Sequence, residues 1–583
     1  RLSLVGSEMC IRDRKYIVYI VYTSLLFIFG GCDVLDKYPL DKPNQDTFWN
    51  NASEINGGVV GCYRFLIAQP NVEYLFPIAP DLMTDIGFPR QESDWKKVAQ
   101  GQHDSNLHSI REVWHYAYQG VGRCNLMLEI IEKKSAVLSP EQYKQYKGEC
   151  LFLRGFYYSR LISFFGDVPL ILKPIESESE ASKFVRESKD VVLQQILKDF
   201  TDAATLLEEQ YVDPLCLGRA TRGTANAYKA RIALYNKKWE VAAEAAEAVI
   251  SSEIYKLYPK YGDLFLVSGL TDANNKEIIL KAEFSAEIPL YHKLPLHMQS
   301  RNLNGYSTMV PTQNLIDSYH CIDGKNIAES PLFNKKKPFE NRDPRLRLGF
   351  VVPGDRYGDF IFESHVDSTS CWSYAENGKV TNKDCYSFSP YTSYTGYCTR
   401  KFSDPSYADK NEKGDYPLIL CRYAEVLLTY AEAKIEANDI DKSVVDALNE
   451  VRNGRDDVKM PALSLSDLSD QSKARVIVRH ERKVELAFEG FRYFDIRRWD
   501  GFWKYANRPV MGRPFKGKFE DWPNVTFDEN DEPVYDYDAY MPHPSSDYRL
   551  VENRTFVQQK HELWPIPQRE RNVSPQLTQN PGF

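Results

Sequence analysis

The chain has 583 residues, 43% of them hydrophobic and 26% charged, so it can bury a sizeable core. Its formal net charge of −8 excludes the basic footprint of a nucleic-acid-binding protein. With 37 Tyr, 30 Phe and 9 Trp it has aromatic surface for flat contact faces as well as for a core.

The opening RLSLVGSEMCIRDR fits neither a signal n-region nor a fold element; it looks like translated adapter sequence and is set aside. An apolar run follows from Tyr16 to Phe29, preceded by Arg12, Arg14 and Lys15 and ending at Gly30-Gly31-Cys32. It falls short of the roughly 20 apolar residues that a membrane-spanning helix needs. Charged flank, short apolar run and small residues form the layout of an export signal. A cysteine directly after small residues, with no Ala-x-Ala site, resembles a bacterial lipobox and makes Cys32 the lipidated first residue of the mature protein. Residues 1–31 are therefore read as an artefactual start plus signal peptide, and 32–50, rich in Asp, Lys and Pro, as a tether. Nothing after Cys32 is apolar enough to span a membrane.

Residues 51–583 read as one mostly α-helical domain. Ile110–Lys134 carries Trp114, Ala117, Val121, Cys124, Leu128 and Ile131 at three- and four-residue intervals, which predicts a helix. Ser139-Pro140-Glu141 opens the next, with Ser at the N-cap and Pro at N1. It runs to Phe165 and is stopped by Gly166-Asp167-Val168-Pro169. Thr224–Tyr235 and Trp239–Ile250 form a helix pair, with Ala230 and Ala242 letting the backbones approach; Cys421–Glu436 and Lys442–Asn453 repeat the theme. The pairs resemble tetratricopeptide repeats, helix–turn–helix units of about 34 residues. The expectation is a tetratricopeptide-like helical scaffold over about 110–258 and 418–500. A long insertion rich in loops and β-hairpins interrupts it over about 261–417, and an irregular C-terminal region covers about 501–583. Such loops are where binding usually resides.

Glu481, Glu485 and Glu489 recur every four residues, placing three carboxylates on one helix face, with Arg479, Arg482 and Arg492 spaced to neutralise them and Arg422 and Glu425 placed to join. An ion-pair network locking the helix to its neighbours explains this better than a hydrolytic carboxylate pair. Asp528, Asn530 and Glu532 alternate like calcium-loop oxygens but lack the required Gly, so a solvated acidic loop is expected. No zinc-protease, P-loop or nucleophile-elbow motif is present, and no cofactor is expected. Of 11 Cys, Cys371, Cys385 and Cys398 lie close in sequence; two of them pairing and all staying free are both open.

Four segments stand out: FLRGFYYSRLISFFGDVPL (Phe152–Leu170), LCRYAEVLLTYAEAKIEAND (Leu420–Asp439), VRHERKVELAFEGFRYFDIRRW (Val478–Trp499) and the C-terminal ELWPIPQRERNVSPQLTQNPGF. With RDPRL (Arg342–Leu346) and the CDVLDKYP start, they resemble the SusD/RagB family of outer-membrane nutrient-binding lipoproteins of Bacteroidetes. That resemblance implies a lipid-anchored protein on the outer membrane, facing the exterior. It would act as a lid on a SusC-like TonB-dependent transporter and capture oligosaccharides without catalysis. Peptide capture, as in some members, and a surface glycosidase are the alternatives. It also implies a site on loops near the N-terminal region and in the insertion. In the first, Asp81, Asp85, Arg90 and Trp95 match; in the second, Tyr291, His292, Tyr306, Trp372, Tyr374, Tyr391 and Tyr394. Trp95 and Trp372 stand in polar surroundings and are expected to be exposed. Trp gives the largest flat apolar face for stacking on a sugar ring, which makes Trp95 the first candidate and Trp372 the second.

Overall fold

Two long helices, α2 (His108–Lys133) and α3 (Pro140–Phe165), form the base of the structure, preceded by α1 (Ala52–Cys62). The computed structural model describes residues 48–67, 77–211, 216, 218–388, 391–513, 525–535 and 549–583; the signal run, Cys32 and most of the tether lie outside them. Helix α3 starts at a capping box: the Ser139 hydroxyl accepts the Gln142 N–H, and the Gln142 side chain accepts the Ser139 N–H at 3.0 Å. It ends at Gly166, whose φ of +73° suits glycine. Where α2 crosses α3, a Cβ on Gly120 would stand 2.4 Å from the Tyr157 ring, so this close approach needs glycine.

The scaffold continues through α4 (Lys189–Leu206), α5 (Arg222–Tyr235), α6 (Trp239–Ile250), α7 (Tyr423–Glu436), α8 (Lys442–Asn453), α9 (Gln471–Leu486) and α10 (Arg492–Arg498). Neighbours in the stack pack on one another: α3 on α4, α5 on α6, α6 on α7, and α7 on both α8 and α9. The mostly α, helical-repeat architecture expected from the sequence is what the structure contains. One contiguous apolar core runs from Ile55 to Ile566. The C-terminal Trp564 closes it, buried against Phe164 at 4.1 Å between ring centroids, with its backbone N–H on the Phe164 carbonyl.

The insertion supplies short strands, in chain order with β1 (Gly87–Pro89) from the N-terminal region: β2 (Ile278–Ala282), β3 (Met309–Pro311), β4 (Arg356–Tyr357), β5 (Phe360–Ile361), β6 (Ser370–Ser373), β7 (Gly378–Thr381) and β8 (Leu418–Arg422). Antiparallel β2 and β8 close its stem, so the chain leaves and re-enters the scaffold at one place. Strands β4 to β7 make a four-stranded antiparallel sheet. A hairpin, β9 (Thr526–Phe527) and β10 (Pro533–Val534), lies in the C-terminal region.

The carboxylates of α9 are buried in ion pairs, but not with the expected partners. Glu481 meets Arg345 and Arg452; Glu485 meets Arg345, Arg422 and Arg455; Glu489 meets Arg422 and Lys401. Arg479 turns to Glu436 and Arg482 to Glu432 and Asp495, because their positions on α9 point away from the glutamate face, and Arg492, at the start of α10, turns to Asp85 and Glu532. Arg422 belongs to the network from strand β8, whereas Glu425 pairs with Arg231. Glu489 lies beyond the last residue of α9, past Phe488 at φ +64°. The solvated-loop expectation also fails for Glu532, which is buried and pairs with Lys483 and Arg492.

Candidate functional site

Strand β1 pairs antiparallel with β3, Gly87 opposite Pro311 and Pro89 opposite Met309. That register carries the next residue, Arg90, onto the turn before β3. The Arg90 N–H donates to the Thr308 carbonyl at 2.9 Å, and its guanidinium donates to the carbonyls of Tyr306 at 2.9 Å and Ser307 at 3.3 Å. The turn is sharp, with Asn304 and Ser307 at positive φ. Held this way, the guanidinium faces Tyr391 at 5.9 Å and Tyr394 at 5.7 Å from the ring centroids, within cation–π range. Tyr394 in turn stacks on Phe88 of β1. Tyr391 is 62% exposed and Tyr306 41% exposed, and the Arg301 guanidinium lies 5.4 Å from the Tyr306 ring. Residues from the N-terminal region and from two parts of the insertion thus converge on one surface of aromatic faces rimmed by two cations.

A second aromatic face lies on the four-stranded sheet. Alternation along β6 sends Cys371 and Ser373 inward and Trp372 outward, and Tyr374 just past the strand end continues the outward set. Trp372 is 39% and Tyr374 44% exposed, and the Arg356 guanidinium sits 4.0 Å from the Tyr374 ring. The Arg301–Asn302 turn ties the two regions together: the Arg301 N–H donates to Asp384 at 2.7 Å and the Asn302 amide to Asn382 at 2.9 Å. Either face offers what a sugar needs, flat apolar rings beside hydrogen-bond donors.

Trp95 does not belong to this surface. It is 1% exposed and its ring stacks on Trp564 at 6.1 Å. The reason is legible in hindsight: Trp95, Val98 and Ala99 form an i, i+3, i+4 stripe on a helix over Asp94–Ala99, capped by the Ser93 hydroxyl. Asp81 and Asp85 are buried as well. Asp81 accepts the backbone N–H groups of Glu489, Gly490 and Arg492. Burial pushes the Asp85 carboxyl up, but Arg492 at 2.8 Å and Lys483 more than offset it and hold it well below the usual carboxylate range. Both aspartates dock the N-terminal region onto the helix α10 start and leave no oxygen for a ligand. His292 is buried between Phe284 and Tyr416, and burial lowers its pKa to about 4. Tyr291 is half-buried on a hairpin with Ser285 opposite Leu290, and is not among the groups that surround Arg90. Cys371, Cys385 and Cys398 are free buried thiols.

Arg301 and Arg356 were not singled out from the sequence. No local pattern marks them, since each meets its tyrosine only through a turn or a strand end. The α9 carboxylates have no solvent-facing pair to act on a glycosidic bond: Glu481 and Glu485 are wholly buried among arginines. No helix among the described residues is long and apolar enough to cross a membrane.

Residues 276–583 match the family model described as "SusD family", and residues 33–234 match one described as "Starch-binding associating with outer membrane". The chain is 23% identical over 514 residues to SusD-like protein P2 of Formosa agariphila, covering 83% of this chain and 90% of that protein. Its fold is similar to that of a crystal structure described as a SusD-like carbohydrate binding protein from Bacteroides fragilis. The TM-score is 0.78 at 27% identity, covering 91% of this chain and 100% of the other. A second SusD-like protein from the same organism gives a TM-score of 0.72 at 24% identity, covering 94% and 100%.

Proposed function

Since this chain belongs to the SusD family, we propose that it is a non-catalytic capture protein for oligosaccharides, tied to the outer membrane through a lipid on Cys32 and delivering its ligand to a SusC-like TonB-dependent transporter. The observation that carries the binding reading is the Arg90 surface, where the exposed Tyr391 ring faces a guanidinium fixed by the backbone carbonyls of Tyr306 and Ser307, and the exposed Tyr306 ring faces the Arg301 guanidinium. A rigid aromatic rim with fixed donors binds a sugar face at little ordering cost. The family description that mentions starch binding with outer-membrane association, and a similar protein described as carbohydrate binding, support the ligand class and the location. The buried state of the α9 carboxylates supports a role without hydrolysis.

The test is isothermal titration of a glycan panel into the wild type and into Tyr391→Ala, Tyr306→Ala and Trp372→Ala. Truncating a central aromatic anchor costs about 2 kcal/mol, roughly a thirtyfold loss of affinity. Loss in Tyr391→Ala and Tyr306→Ala supports the Arg90 surface; loss in Trp372→Ala alone moves the platform to the sheet face. Binding of peptides with no glycan bound overturns the oligosaccharide reading, and glycan cleavage overturns the non-catalytic one.

A further inference from the structure

Outside the aromatic surfaces, three elements distant in sequence bring metal-ligating atoms together. His320 follows a short helix over Gln313–Ser318, His480 lies within α9, and Asp531 sits in the turn of the β9–β10 hairpin. The nearest Nδ1, Nε2 and carboxylate atoms of the three all lie within 4.8 Å of one another, the one such group among the described residues. His320 Nε2 is 2.6 Å from Asp531 Oδ2, and His480 Nδ1 is 3.6 Å from the same oxygen, too long for a hydrogen bond. The two imidazoles are stacked at 3.8 Å between centroids, with one nitrogen of each beside the same carboxylate oxygen, so one ring has to rotate about its Cβ–Cγ bond for both in-plane lone pairs to meet a shared ion.

We propose that His320, His480 and Asp531 form a binding site for a divalent transition-metal ion of the zinc class. Zinc takes nitrogen at about 2.0–2.1 Å and carboxylate oxygen at about 2.0–2.2 Å, so tetrahedral ligands stand about 3.4 Å apart. The 3.6 Å separation already fits, and the 2.6 Å contact opens by less than about 1 Å when the hydrogen-bonded proton is displaced by the ion. Two imidazoles and one carboxylate are a donor set for zinc rather than for calcium or magnesium, which prefer all-oxygen shells. The outer support is present: the Asn326 side-chain amide donates to Asp531 Oδ1 at 3.0 Å and fixes the carboxylate. The three residues line a cavity of about 450 Å³, which leaves a fourth position open to water or an exogenous ligand. Of the neighbouring cations, Arg452 pairs with Glu481 and Lys483 with Glu532 rather than with Asp531. An ion here would staple the β9–β10 hairpin to α9 and to the insertion.

The experiment uses tag-free, chelator-stripped protein titrated with Co²⁺ followed by visible absorption, and with Zn²⁺ in competition, alongside thermal melting. The wild type should bind one ion per chain and melt at higher temperature with Zn²⁺ than without. His320→Gln and Asp531→Asn should abolish both effects, and Asn326→Ala should weaken the affinity by about 10–100-fold. His103 and His561, a second pair of adjacent imidazoles outside this site, provide the control, so His103→Gln should leave the ion in place. The proposal is overturned if the wild type takes up no stoichiometric ion. It is equally overturned if the ion survives in both His320→Gln and Asp531→Asn, or is lost in His103→Gln instead.

Discussion

Replacing Glu485 with alanine should be among the most damaging single changes in this protein. Five carboxylates (Glu277, Asp343, Glu481, Glu485, Glu489) face five cations (Arg345, Lys401, Arg422, Arg452, Arg455) in one buried network. Glu485 touches three of the cations, with Arg422 at 2.8 Å and Arg345 and Arg455 at 3.0 Å, and its side chain has no exposed surface. Removing it leaves one positive charge in excess where water cannot reach, a cost of about 3–5 kcal/mol. The same physics predicts partial rescue. Arg455 carries two buried guanidinium nitrogens, Nε and Nη1, without a hydrogen-bond partner. Removing the pair together as Glu485→Met with Arg455→Met restores charge balance, and swapping a buried pair for apolar residues is often close to neutral. Urea unfolding of wild type, both single variants and the double variant measures the coupling directly. If Glu485→Ala unfolds within about 1 kcal/mol of wild type, the network does not hold the insertion stem to α9. The pH dependence has a definite sign. Burial raises the Glu485 pKa, but Arg455, Arg422 and Arg345 outweigh it and hold the carboxyl far below its ordinary 4.5. A depressed folded-state value means that this stabilisation is complete above the unfolded value and is lost as pH falls below it. Acid unfolding as pH falls below about 4.5 should therefore flatten in the Glu485→Met/Arg455→Met variant.

Trp95→Ala should lower stability by about 3–5 kcal/mol, read by calorimetry, while glycan affinity of the folded variant stays at the wild-type value. Lost affinity at unchanged melting temperature would contradict its burial against Trp564. Cys32→Ala should release the protein from the membrane fraction and remove the lipid seen by mass spectrometry of the mature N-terminus; a variant that stays membrane-bound rules out that anchor. The cysteines at 371, 385 and 398 should react with a thiol reagent only after unfolding, and reductant should leave the melting temperature unchanged; a mass two hydrogens short in non-reduced protein would show a disulfide instead.

Most helices and the family were legible in the sequence itself, because the signals involved act over a few residues; the helix read from Cys421 starts instead at Tyr423, since Cys421 and Arg422 pair as the end of strand β8. Ser139-Pro140 favours a helix start and Gly166 before Pro169 favours a helix end, and α3 is bounded as expected. The helix over Lys442–Asn453 likewise follows from its local pattern of apolar and polar residues. The burial of Trp95 is equally local, written in its stripe with Val98 and Ala99 although Asp94, Lys96 and Lys97 stand beside it in sequence. What only the tertiary structure decided is which distant groups meet. Three glutamates at four-residue spacing announce a need for positive charge, yet nothing along the chain says that Arg345, Arg422 and Arg455 meet it rather than Arg479 and Arg482. Arg90 on the Tyr306 carbonyl and against the Tyr391 and Tyr394 rings depends on the β1–β3 register. His320 beside His480 and Asp531 depends on a hairpin folding back on α9. Periodicity reports which face of a helix or strand a residue occupies; what lies against that face is set by long-range packing, which leaves no mark at short spacing.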